Sequence, residues 1–103
     1  MIKLADIQAL VRAGDYYFSK HADIEKQNDE LRITEIEEAL LNGTLIEQYQ
    51  DTGRGSSCLV AGFTKAGKPI HIVIGLHSGH LTIITVYIPT SPKFKNLFER
   101  GRS

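Results

Sequence analysis

Two runs of mostly β-branched residues, Lys68-Pro69-Ile70-His71-Ile72-Val73-Ile74 and Leu81-Thr82-Ile83-Ile84-Thr85-Val86-Tyr87-Ile88, limit what this chain can fold into more than any other feature. Branching at Cβ crowds a helix and suits a pleated strand. The break between the runs, His77-Ser78-Gly79-His80, is turn chemistry, so the pair predicts an antiparallel hairpin. Polar groups interrupt both runs at period two. One face is therefore expected to carry Ile70, Ile72 and Ile74, or Ile84, Val86 and Ile88, while the other, free face carries His71, Thr85 and Tyr87.

Upstream the period changes. Leu4, Ile7, Leu10 and Val11 form one helical stripe over Leu4 to Arg12, and Gly14 is a natural stop. After the short aromatic piece Tyr16-Tyr17-Phe18, Ser19 can cap a second helix running to about Leu31, with His21, Glu25 and Asp29 at intervals of four along one edge. Thr34-Glu35-Ile36-Glu37 matches a capping box, predicting a third helix from Thr34 to the Asn42-Gly43 stop. Strands are expected at Thr44 to Tyr49, Ser57 to Thr64, Pro69 to Leu76 and Leu81 to Ile88, joined by short turns. Helices first and strands afterwards predict an α+β domain, two or three N-terminal helices packed on a four-stranded antiparallel sheet.

With 103 residues, the chain is expected to form a single domain over 1–103, with a partly extended basic tail at 89–103. The lone Cys58 excludes an internal disulfide and a cysteine-pair zinc site, and is expected to be a small buried hydrophobe. An early charge at Lys3 and the lack of a long apolar run predict neither signal peptide nor membrane span, hence a cytoplasmic protein without a membrane partner. Net charge is zero but unevenly divided. Residues 1–50 hold ten acids and five bases, and residues 51–103 two acids and seven bases, giving −5 and +5. The basic half would suit a phosphate-bearing ligand such as RNA; acidic helices followed by a solvated basic tail produce the same split.

Five blocks add a resemblance: Ser19-Lys20-His21-Ala22, Ile46-Glu47 before Tyr49, Cys58-Leu59-Val60-Ala61-Gly62-Phe63, Pro69-Ile70-His71 and Ile84-Thr85-Val86-Tyr87-Ile88-Pro89. In their order and spacing, from about Tyr16 to Arg102, the chain resembles a bacterial and archaeal family, domain of unknown function 4258. The resemblance implies kinship with small RelE-like RNA-cleaving toxins and pairing with a small zinc-finger antitoxin-like protein. It also picks out His21, Glu25, Asp29, Glu47, Tyr49, His71, Thr85 and Tyr87. Many relatives carry Arg where this chain has Glu25 and Asp29, a departure that removes positive charge a ribonuclease would use.

Metal-independent RNA cleavage needs a base for the 2′-hydroxyl, a cation for the phosphorane and an acid for the leaving oxygen. In such a toxin component, cutting or binding RNA on the exposed sheet face, His71 and His21 would be the acid and base pair. Glu25 would orient His21, Thr85 would line the face, and Tyr87 would donate to a phosphate oxygen. Arg54, Lys68, Lys93, Lys95 and Arg100 would neutralise phosphates, Arg54 from a glycine-flanked loop and Lys93 and Lys95 around Phe94. A structural reading stands beside each role. His21 can simply bond Glu25 or backbone, His71 can bond across to Thr85 or Tyr87, and Glu25 and Asp29 can form a solvated helix face.

Other motifs are weaker. His77 and His80 form a two-histidine clip without a nearby carboxylate, so the turn reading is preferred and no metal is expected. Gly53-Arg54-Gly55-Ser56-Ser57 links two strands and lacks a helix start, so it is no P-loop, and no cofactor is expected. The alternative to a toxin is a non-catalytic protein- or nucleic-acid-binding module that uses the same face and the basic tail.

Overall fold

The computed structural model describes residues 2–49 and 55–89, together with the backbone of two short strands further on. Its elements in order are α1 (Leu4–Arg12), β1 (Tyr16–Phe18), α2 (Lys20–Asn28), α3 (Ile33–Leu41), β2 (Thr44–Tyr49), β3 (Ser56–Phe63), β4 (Pro69–His77), β5 (His80–Tyr87), β6 (Phe94–Asn96) and β7 (Glu99–Arg100). The α+β class holds. Three helices accompany a five-stranded mixed sheet of order β1-β5-β4-β3-β2, and β6 and β7 pair separately.

The four-stranded, all-antiparallel expectation is corrected by β1, which pairs parallel to β5 through Tyr16↔Leu81, Tyr17↔Thr82 and Phe18↔Ile83. Three aromatic residues are too few to display a period, yet their β preference suffices once a neighbouring strand offers its edge. Tyr16 and Phe18 pack against the core, their rings edge to face at 5.7 Å, while Tyr17 points away and is 62% exposed.

Helix ends follow local chemistry. Ser19 caps α2 as expected, its Oγ accepting the Ala22 N–H at 3.0 Å. That helix stops at Asn28, short of the expected Leu31, because Glu30 turns into the left-handed region at φ 55° and the Leu31 and Glu30 N–H groups fold back on Lys26 O and Gln27 O. The α3 start differs too. Its N-cap is Arg32, whose N–H donates to Glu35 Oε1 at 2.8 Å, so the glutamate half of the box predicted for Thr34 and Glu37 forms two residues earlier, with no side-chain acceptor at the cap. Glu37 is drawn elsewhere, accepting the Tyr16 O–H at 2.6 Å.

The helices lie on one face of the sheet, α2 across β5 and α3 across β3 and β4. Between them sits the core, with Ile7, Ile36 and Leu40 from the helices and Cys58, Val60, Ile70, Ile72, Ile74, Leu81, Ile83 and Val86 from the strands. Gly62 sets the helix-to-sheet distance: a Cβ there would stand 2.0 Å from Ala39 O of α3.

Candidate functional site

Strand pairing defines the face opposite the helices. His71 lies directly across from Tyr87 and from Ala61, Val73 from Thr85 and Leu59, and Glu47 and Tyr49 on β2 pair with Leu59 and Ser57. His71, Thr85 and Tyr87 therefore share one face, as their spacing predicts. Ile84 does not follow the expected pattern. The register shifts between Val73 and Ile74, leaving Ile84 as an extra residue that lies over Gly75, where a Cβ would stand 3.0 Å from Ile84 Cδ1. It is 37% exposed, while Val86 stays in the core.

The expectation of a free, exposed face holds for only part of it. His71, Leu59 and Ala61 are buried, whereas Tyr17 and Ile84, nearer the β4–β5 turn, are open. The His71 and Tyr87 rings sit 5.5 Å apart at 57°. Glu47 and Tyr49, to which the cleavage scheme gave no role, form a second polar pair, the Tyr49 O–H donating to Glu47 Oε1 at 2.6 Å. Their spacing of two on one strand is the signal that places them together.

His21 lies not on a strand but on α2, against the β5 edge. At the start of α2 it is exposed, with Nε2 3.3 Å from Glu25 Oε2. The other carboxylate oxygen, Oε1, accepts the backbone N–H of Val86 at 3.1 Å. Glu25 is thus not on a solvated helix face. The physical reason is that β5 runs on past the end of β1: Ser19 N–H donates to Ile83 O, Ser19 Oγ donates to Ile84 O at 2.8 Å, and Glu25 takes the next free amide. Asp29 is the C-cap of α2.

A similar device closes the other side of the sheet. β3 extends beyond β2, and the Asn42 side chain stands in for the missing strand, donating from Nδ2 to Phe63 O at 2.7 Å and accepting the Phe63 N–H at 3.1 Å. The Glu38 carboxylate beside it accepts the Lys65 N–H at 3.0 Å.

The remaining predicted contacts are dispersed. Lys68 Nζ stands 3.7 Å from Glu35 Oε2. Arg54 and Lys93 lie outside the described residues, and Lys95 and Arg100 are placed as backbone of β6 and β7. None of the strands β1 to β5 contains a Lys or Arg. Cys58 is buried and its thiol is pushed up to about 12 by that burial, which leaves it a packed hydrophobe rather than a nucleophile. Burial, reinforced by the bond to Glu37, also raises the Tyr16 hydroxyl above its ordinary value. Among the described residues no three His, Cys, Asp or Glu side chains cluster around a metal, and no helix is long and apolar enough to cross a membrane.

The family model for the domain of unknown function DUF4258 matches residues 18–88. The chain belongs to this family. The matched segment takes in Ser19, Glu25, Asn42 and Gly62, so both edge closures and the close helix approach lie inside the DUF4258 unit, while α1 precedes it. No curated protein and no solved structure matches the chain.

Proposed function

We propose that this DUF4258 chain is a non-catalytic protein-binding module that meets its partner through the open part of the helix-free sheet face, around Tyr17 and Ile84. The burial of His71 carries this reading, because a general acid or base has to reach the proton it transfers. His71 is held within the sheet beside Tyr87, and His21 is engaged with Glu25 at the β5 edge. Strands without Lys or Arg are poorly suited to phosphates, whereas an exposed aromatic next to an exposed isoleucine is the composition of a protein contact.

The competing reading is a RelE-like toxin component that cuts or binds RNA and pairs with a small zinc-finger antitoxin-like protein. It draws on the family resemblance and on the +5 charge of residues 51–103, and it relies on bases outside the sheet. Incubating the full chain with single-stranded RNA, over a salt series, separates the two. The module reading expects intact RNA and no steep salt-dependent binding, together with a Tyr17→Ser, Ile84→Ser variant that folds normally and loses its protein partner in cross-linking. Cleavage that disappears in His71→Ala overturns it in favour of the toxin.

A further inference from the structure

The tip of the β4–β5 hairpin places two histidines directly opposite one another. His77 and His80 are direct register partners on either side of a two-residue turn, and both are exposed. Ser78 and Gly79 both have positive φ, 51° and 79°, the conformation of the tight hairpin turn that matches strand twist. Directly opposed residues of such a pair have Cβ atoms about 5 Å apart and project from the same side of the sheet, so the two rings can converge on one point. Gly55 packs against His77 from the neighbouring strand end: a Cβ there would stand 2.7 Å from His77 Cβ and 2.9 Å from its Nδ1.

We propose that His77 and His80 form a two-imidazole site for a borderline divalent cation of the Cu²⁺ or Ni²⁺ type, with water in the remaining positions. Imidazole nitrogen selects such ions over Mg²⁺ and Ca²⁺, which demand oxygen donors. Two protein ligands and, among the described residues, no enclosing carboxylate make the site open and exchangeable rather than a structural zinc centre. The spacing within the turn matters more than the count of ligands, because a rigid hairpin presents the second imidazole at high effective concentration once the first has bound.

The experiment adds substoichiometric CuCl₂ to the full chain and follows the histidine ring resonances. The rings of His77 and His80 should broaden together before those of His21 and His71. In calorimetric titration with NiCl₂, His77→Gln and His80→Gln should each weaken binding about tenfold or more, since either change leaves a single ligand. Excess MgCl₂ should not compete. Broadening that begins at His21, a His80→Gln protein that binds as tightly as the unchanged chain, or displacement by Mg²⁺ each overturns the site. The resonance measurement uses the unaltered protein, so it stands whether or not a variant folds.

Discussion

The two long edges of the sheet face the same problem and meet it differently. On one side β5 outruns β1 and exposes a carbonyl at Ile84 and an amide at Val86, on separate residues; on the other β3 outruns β2 and exposes both groups on Phe63. Separate groups require separate partners, so Ser19 supplies a donor and Glu25 an acceptor. A single residue with both groups fits one primary amide, and Asn42 provides it. In each case the side chain comes from, or next to, the helix adjoining the short edge strand. The β5 edge thereby gains a charge that draws in His21, while the β3 edge remains neutral.

Breaking the β3 edge from below should have the largest effect. Gly62→Ala drives a methyl into the backbone of α3 and pushes Asn42 away from Phe63, so a loss of about 3 kcal/mol is expected in a denaturant midpoint series. At the β5 edge Glu25→Ala strands a partly buried amide and should cost about 2 kcal/mol, with faster hydrogen exchange at Val86. Asn42→Ala removes an exposed pair of bonds that water can replace, and about 1 kcal/mol is expected. The finest test concerns charge alone. His21→Ala, at an exposed histidine–carboxylate contact, should change stability by less than about 0.5 kcal/mol, and Glu25→Gln, which keeps an acceptor, should fall between it and Glu25→Ala.

Features written in short-range chemistry were legible. The helical stripe from Leu4, the Ser19 cap, the Asn42-Gly43 stop and the hairpin around Ser78-Gly79 each depend on neighbours within a few residues, and each is present in the fold. What the sequence hid depends on distant partners. The strand Tyr16–Phe18 exists because β5 has an edge to offer, Ile84 bulges where β4 and β5 adjust their register, and the helix-start contact is made by Arg32 and Glu35 while Glu37 is held by Tyr16. The candidate site shows the same division. Period two correctly put His71 and Tyr87 on one face, but alternation says nothing about burial, and the spacing His21, Glu25 gave no hint that Val86 lies beside it.

The parallel pairing of β1 has a consequence in time. Ser19 and its partner Ile84 are 65 residues apart, and the ribosome makes the N-terminal side first. At about 5–20 residues per second, roughly 3–13 s pass between synthesis of the aromatic strand and synthesis of the strand that receives it. During that interval Tyr16 and Phe18 have no sheet to join, and α2 has no edge to close. The nascent chain therefore carries its aromatic N-terminal strand undocked until most of the domain has been made.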